Sequence, residues 1–254
     1  MEVKWCGLDY GECIMNADEV RNPLLFGDIY KSLGHPELVG DRIRKYRVLK
    51  EKYGGYPALH EGHRDDIYSY VLDGDAEAIR LFVQKELELK EVGQGLEELL
   101  EYLNAQDIEV CVVSELKKSS EPLGSDPISL FLRKKDLLGY FHGLITPLGR
   151  LDLKTGSVDL RYKGATKKGG ALYDVLAKEL GERGIRPSEA VIVGDRPEMD
   201  INPARERGFR TIQYTGFVDK GPSGADMVAC SFKDLMGVLR GSQDKIAEFH
   251  NARL

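Results

Sequence analysis

Three stretches that read as buried strands each end in a residue able to do polar chemistry. Asp9 follows VKWCGL, Ser114 follows VCVV, and Gly194-Asp195 follows AVIV. In an open parallel sheet the carboxyl ends of the strands are where ligands bind, so these three ends are candidates for one site. Asp200 adds a carboxylate five residues after Asp195, near the start of the next helix. A hard divalent cation such as magnesium takes a few carboxylate and carbonyl oxygens and leaves room for a substrate phosphate. Asp9, Asp195 and Asp200 are of the right type to supply such a set.

The elements that must position these residues are legible from periodicity. The first strand spans Val3 to Leu8. Residues 17–90 then carry apolar side chains at three- and four-residue intervals, in DEVRNPLLFGDIYKSLG, PELVGDRIRKYRVLKEKYG and DAEAIRLFVQKELELK, punctuated by Gly34, His35-Pro36 and Gly54-Gly55. From Gly93 onward helix and strand alternate: GLEELLEYLNAQD, IEVCVVS, ISLFLRKKDLLGYF, GLIT, ALYDVLAKELGERG, AVIVG, TIQY, MVA and a closing helix from about Phe232. RLDLKTGSVDLRY interrupts this order with an apolar–polar alternation around a Lys-Thr-Gly-Ser turn, the pattern of a hairpin at 150–162. Strand–helix alternation predicts an α/β fold with a doubly wound parallel sheet. The boundaries predicted are 1–16 and 91–254 for the α/β core and 17–90 for an inserted helical cap domain.

The chain has 254 residues, 42% of them hydrophobic, with 36 basic and 42 acidic side chains and a net charge of −6. That is ample for one core plus a smaller unit, and the mild acidity argues against nucleic acid or an anionic membrane as partner. No apolar run approaches the length of a membrane span, and MEVKWCGLDYGEC lacks a signal-peptide core. Cys6, Cys13, Cys111 and Cys230 show no paired spacing and read as buried, reduced thiols of a cytoplasmic protein.

On these residues the sequence resembles the haloacid dehalogenase (HAD) superfamily, most of whose members are magnesium-dependent phosphohydrolases. The resemblance covers the whole chain. Asp9 in GLDYGEC matches the family's first motif, Ser114 in VCVVSE its second, and Lys167 in KKGGALYDVLAKELG its third, with Lys163 and Lys168 as less well spaced competitors. VGDRPEMD, with Asp195 and Asp200, matches the fourth motif and is the most specific stretch. The resemblance implies a Rossmann-like core and a Mg2+ ion held by Asp9, the Gly11 carbonyl, Asp195 and Asp200. It further implies that Asp9 attacks phosphorus to form an aspartyl-phosphate. Ser114 and Lys167 would bind the phosphoryl oxygens of a small phosphorylated substrate, and Lys167 would also keep Asp9 ionised.

The chain departs from the family at one position of the first motif. Asp-x-Asp-Gly-Thr is replaced by Asp9-Tyr10-Gly11-Glu12-Cys13, so glycine stands where the resemblance places the general acid and base. Glu12, one residue late and one methylene longer, is the candidate substitute; its other reading is a solvent-facing loop carboxylate. Two further function classes follow from this departure: a catalytically weakened protein that binds phosphate or a partner, and a phosphonate- or carbon-centred hydrolase. Phosphonate cleavage would need a Schiff-base lysine, for which Lys45, Lys50 and Lys52 are available; carbon-centred chemistry would not need the acidic pair. His60-x-x-His63 with Asp65 and Asp66 is a weaker metal motif, and Gly93-x-Gly95 reads as a turn.

Overall fold

The structure is a computed structural model describing residues 3–54, 59–60, 63–119 and 121–251; Gly55, one of the helix-breaking glycines of the sequence reading, lies outside these. The chain divides into two compact units, Met1–Asn16 with Val92–Leu254, and Ala17–Glu91.

The larger unit is built on an eight-stranded sheet. In chain order the strands are β1 (Trp5–Asp9), β2 (Met15–Asn16), β3 (Glu91–Val92), β4 (Glu109–Val113), β5 (Gly143–Thr146), β6 (Gly149–Asp152), β7 (Val158–Asp159), β8 (Ala190–Gly194), β9 (Arg210–Tyr214) and β10 (Met227–Ala229). The sheet order is β10-β9-β8-β1-β4-β5-β6-β7, and β2 pairs only with β3. Strands β10 through β5 run parallel, whereas β6 and β7 add to the edge antiparallel, forming the hairpin expected from the Lys-Thr-Gly-Ser turn. The first strand begins at Trp5 rather than Val3 and keeps Asp9 as its last residue.

Strand order and register bring the chemistry-bearing ends together. After β5 and its hairpin the chain returns to the other side of β1, so β1 lies at the reversal of strand order, where open sheets form a crevice. Asp9 pairs with Val113, and Leu8 pairs with both Val112 and Val193. One rung further on, Ser114 and Gly194-Asp195 leave the sheet at the same edge as Asp9.

The helices are fixed by apolar stripes and caps. Helix α4 (Leu96–Ala105) buries Leu96, Leu99, Leu100 and Leu103, one face at helical spacing. Helix α5 (Pro127–Lys134) starts with the Asp126 carboxylate accepting from Ile128 N and Ser129 N, with Pro127 in its first turn. Helix α6 (Ala171–Glu182) packs Leu172, Tyr173, Leu176 and Leu180 against Trp5, Val113, Ile145 and Ile192 of the sheet. Helix α7 (Phe232–Asn251) closes the chain. Gly93 and Gly95 are turn residues at the start of α4, as expected: Gly95 has φ +80° and caps it, and Gly93 lies against Phe232.

The unit Ala17–Glu91 contains α1 (Leu24–Ser32), α2 (Val39–Tyr53) and α3 (Ala76–Leu89). Helix α2 stops at Gly54, which takes the left-handed conformation that glycine adopts without steric cost. Phe26 packs on Tyr46 and Phe82 with ring centroids 4.5 and 5.4 Å away. His60, buried here, lies 2.8 Å from the Tyr46 hydroxyl and 3.1 Å from Glu86 Oε1, and Arg64 pairs with the same carboxylate. His63 instead stacks on Tyr53, so the two histidines of the weak metal motif have separate structural roles.

Of the four cysteines, Cys6, Cys13 and Cys111 are buried and free, whereas Cys230 is free and exposed, against the expectation that all four are buried. Cys230 lies one residue beyond the short edge strand β10, and its thiol donates to Asp234 Oδ2 at 2.9 Å.

Gly7 sits mid-β1, where a Cβ would come within 2.7 Å of the Trp5 ring and 2.9 Å of a Val113 methyl. Gly7→Ala should therefore overpack the strand that carries Asp9 and destabilise the protein by ~1–3 kcal/mol, read as a lower denaturant midpoint. A midpoint unchanged from wild type would show that Trp5 moves aside freely.

Candidate active site at the carboxyl edge of the sheet

Lys167 is the centre of the site. Its ammonium donates to Asp9 Oδ1 and, at 2.5 Å, to Asp200 Oδ1, and the residue is 1% exposed. Its loop is held by short-range geometry: Gly170 N donates to Lys167 O at 2.8 Å, and Gly169 and Gly170 have φ of +80° and +86°. That left-handed pair lets the chain turn directly into α6, and it explains the glycines that follow the lysine in the sequence. Lys163 and Lys168 are both exposed, so the competition among the three lysines is resolved in favour of Lys167.

Asp195 and Asp200 come from the turn after β8. Arg196 N donates to Asp200 Oδ2 at 3.1 Å, which aims the carboxylate back at the sheet. Gly194 makes this approach possible, because a Cβ there would overlap the Asp200 side chain. Asp9, Asp195 and Asp200 each offer an oxygen within 4.8 Å of the others, the one such group of His, Cys, Asp or Glu among the described residues.

Three carboxylates thus face one ammonium in a buried place. Burial pushes the Asp9 carboxyl up to about 8; Lys167 opposes this, and Asp200 and Asp195 reinforce it. Burial, with the Asp200 charge next, pushes Asp195 up to about 6. For Lys167 burial works against the charge, but Asp200 and Asp9 outweigh it and hold the ammonium well above its usual range. Asp195 is fully buried, yet among the described residues neither of its oxygens has a hydrogen-bond partner. An ionised carboxylate left so is costly unless a cation completes it. Three carboxylates, one of them unsatisfied, supply the hard oxygen donors that fit a magnesium ion.

The loop after Asp9 is tight: Ile14 N donates to Asp9 O, Met15 N to Tyr10 O and Glu12 N to Met15 O. Tyr10 turns into the core, its ring edge-on to Phe131 at 5.5 Å. Gly11 lies outside the left-handed region, and a Cβ there would have nothing within 4 Å. Glu12 has φ +60°, uncommon for a residue with a side chain, and is only 6% exposed. The reading of Glu12 as a solvent-facing carboxylate is therefore wrong; the tight turn folds it inward. Cys13 is buried next to it, its thiol pushed well up by burial and then by the charges of Asp9, Asp195 and Asp200.

Two residues of the site lay outside the sequence reading. Glu115 Oε2 accepts from the backbone N–H of Lys167 at 2.7 Å, tying the loop after β4 to the loop before α6. Tyr173 donates its hydroxyl to Met199 O at 3.0 Å, joining α6 to the turn that carries Asp200. Only the adjacency of Glu115 to Ser114 hints at the first; nothing in the sequence signals the second. Ser114 itself is buried at the end of β4, its N–H donating to Ile145 O at 2.9 Å. The lysines considered for a Schiff base are occupied in the other unit: Lys45 pairs with Asp73 at 2.7 Å, Lys50 reaches Arg21 O at 3.5 Å, and Lys52 lies over the Tyr53 ring.

Residues 165–234 match the sequence model of the HAD-hydrolase-like family. Among solved structures, a HAD phosphatase from Thermococcus onnurineus superposes with a TM-score of 0.56 at 18% identity, over 94% of this chain and 98% of that one. A putative HAD-hydrolase, YfnB, from Bacillus subtilis, bound to magnesium, gives 0.57 at 15% identity over 94% and 99%. A predicted phosphoglycolate phosphatase from Haemophilus somnus gives 0.55 at 15% identity over 94% and 98%. Among curated proteins none matches this sequence. The matched segment contains Lys167, Asp195 and Asp200, and over the rest of the chain the likeness to these structures is one of fold. No helix among the described residues is long and apolar enough to cross a membrane.

Because Glu115 holds the Lys167 backbone, Glu115→Ala should loosen the ammonium from Asp9 and Asp200, whereas Glu115→Gln keeps an acceptor and should restore most of the effect. The expected cost of Glu115→Ala is ~1–3 kcal/mol, that of a buried donor left unsatisfied, measured by chemical denaturation. Equal destabilisation by both variants would show that the charge of Glu115, and not its hydrogen bond, is what matters.

Proposed function

We propose that this protein is a magnesium-dependent phosphohydrolase that acts on a small phosphorylated compound through an aspartyl-phosphate on Asp9. The observation that carries the reading is the buried Lys167 ammonium shared by Asp9 and Asp200 beside the unpartnered carboxylate of Asp195. A carboxylate at a strand end is a nucleophile once ionised; the Lys167 ammonium favours that form against the burial that raises Asp9, and a cation on the nearby acidic pair would favour it further.

In this reading one Oδ of Asp9 attacks phosphorus, and Lys167 favours the charged form of that carboxylate and aims it. Ser114, on the neighbouring strand end, donates its hydroxyl to a phosphoryl oxygen, and the Lys167 ammonium offsets the negative charge spread over the phosphoryl group. Asp9, the Gly11 carbonyl, Asp195 and Asp200 would hold magnesium, which when bound supplies charge neutralisation for substrate and transition state. The retained acidic pair favours phosphorus over carbon as the electrophile. A second reading, phosphate binding without turnover, is favoured by one feature, the absence of a side chain at Gly11.

Hydrolysis of a panel of phosphorylated metabolites with and without magnesium tests the activity, with Asp9→Asn as the blank. Phosphate release from at least one compound, dependent on magnesium and abolished in Asp9→Asn, is the expected result; release that persists in Asp9→Asn would remove Asp9 as nucleophile. The ion is tested separately by thermal unfolding. Magnesium at 100 times its dissociation constant should stabilise the wild type by ~2.7 kcal/mol, and Asp195→Asn should lose most of that gain. In chelator Asp195→Asn should be at least as stable as wild type, since it removes a buried, unpaired charge. Equal magnesium stabilisation of both proteins would place the ion elsewhere.

A further inference from the structure

The following inference rests on the phosphohydrolase reading and names its substrate class. We propose that the site is matched to phosphorylated compounds whose leaving group departs as an anion without first taking up a proton. These are acyl phosphates, phosphoanhydrides and aryl or enol phosphates, as opposed to alkyl phosphate monoesters.

The side chains around Asp9 have other tasks. Lys167 is spent as counter-ion to Asp9 and Asp200. Asp195 and Asp200 converge with Asp9 as oxygen donors for a cation. Tyr10 packs its ring on Phe131. Asp9 ends β1 and Tyr10 turns its ring into the core, so position 11 is the next place from which a side chain could stand beside Asp9 and reach the departing oxygen. That position is glycine. The space its Cβ would enter is open, and its backbone conformation is one that any residue adopts. Neither a turn nor a close approach therefore requires the glycine; what it changes is the supply of a proton. Glu12, the nearest acid in sequence, is folded inward by a left-handed backbone and buried.

The chemistry of the first step then selects the substrate. The Oδ of Asp9 forms a bond to phosphorus, the bond from phosphorus to the leaving oxygen breaks, and its electron pair stays on that oxygen. A carboxylate, phosphate or phenolate carries the pair without a proton. An alkoxide is far more basic and leaves slowly unless an acid protonates it in the transition state. A positioned general acid contributes ~10²–10⁴ in rate, and most of that falls on the most basic leaving groups. In the second step water attacks phosphorus, the bond to Asp9 breaks, the carboxylate is regenerated, and the proton of water passes to solvent or to the product phosphate. With no base positioned at residue 11 this step is slow as well, so the aspartyl-phosphate accumulates when the first step is fast.

The test uses the full chain with magnesium and four probes of rising leaving-group basicity: acetyl phosphate, 4-nitrophenyl phosphate, phenyl phosphate and glycerol phosphate. The ratio kcat/KM reports the step that expels the leaving group. It should fall steeply along the series, by at least ~10²-fold from the first to the last probe. Intact-mass measurement after mixing with acetyl phosphate should show one phosphoryl group added to wild type and none to Asp9→Asn. Gly11→Asp should raise the ratio of kcat/KM for glycerol phosphate to that for acetyl phosphate by at least ~10²-fold. A flat dependence in the wild type would mean that a proton donor reaches the leaving oxygen, and the proposal would fall while the phosphohydrolase reading stood. Gly11→Asp raising all four probes equally would overturn it too. Should Gly11→Asp not fold, the wild-type series and the mass measurement decide alone. Neither turnover of any probe nor phosphorylation of Asp9 would remove the phosphohydrolase reading itself, and the inference with it.

Discussion

A lysine ammonium buried at the carboxyl edge of a parallel sheet, shared between two aspartates from different parts of the chain, is the interaction on which the arrangement of this site depends. Isolated charges are too costly to bury, so each member of such a group requires the others. Asp9 arrives on β1, Asp200 on the turn after β8, and Lys167 on the loop before α6. Their mutual attraction fixes three loops that no local propensity would place together. Asp195, drawn into the same pocket, is left with two buried oxygens that lack a protein partner. That imbalance, more negative than one lysine can offset, is one that a bound cation would relieve.

The surrounding structure holds these loops by means that carry no charge to the reaction. Glu115 takes the Lys167 N–H, Tyr173 ties α6 to Met199 O, and Gly194 leaves room for Asp200 to fold back against the strand end. Glu115 and Tyr173 join elements distant in sequence, each through a hydrogen bond to a backbone group. A site whose parts come from separate strand ends needs such links, because a shift of about 1 Å in a catalytic group is costly in rate. Trp5 and Val113, packed around Gly7, extend the same constraint into the core beneath Asp9.

The loop after Asp9 departs from an otherwise conventional arrangement. Glycine stands where a side chain would fit without strain, and a glutamate next to it takes the left-handed conformation that glycine holds most easily. The two residue types are in this sense exchanged relative to what the backbone would prefer. The penalty of a left-handed non-glycine residue is roughly 1–2 kcal/mol, small enough for the packing around Glu12 to offset. The consequence is chemical and not architectural: in the proposed reaction the nucleophile and the cation donors are assembled, and the flank at residue 11 is open.

Much of this was legible in the sequence because it follows from local rules. Apolar runs ending in Asp9, Ser114 and Asp195 declared strands, helical spacing declared the insertion between 17 and 90, and the Lys-Thr-Gly-Ser turn declared the hairpin on β5. The resemblance of KKGGALYDVLAKELG to a family motif put Lys167 in the same site. Periodicity says which residues share a face, however, and not which strand lies beside which. That β1 sits between β4 and β8 is a matter of long-range pairing, and only this order turns three strand ends into one cluster. The choice of Lys167 over Lys163 and Lys168 was likewise decided by two glycines in left-handed turns, whose effect on the direction of a side chain appears only once the loop is closed. Glu12 reads as a surface residue by type and is buried by the turn that contains it; Glu115 acts through a hydrogen bond to a residue far along the chain. Sequence sets the chemistry available to each residue and its local geometry, whereas the partners of a buried charge are set by the tertiary fold, because only there is water excluded and each charge forced to find another.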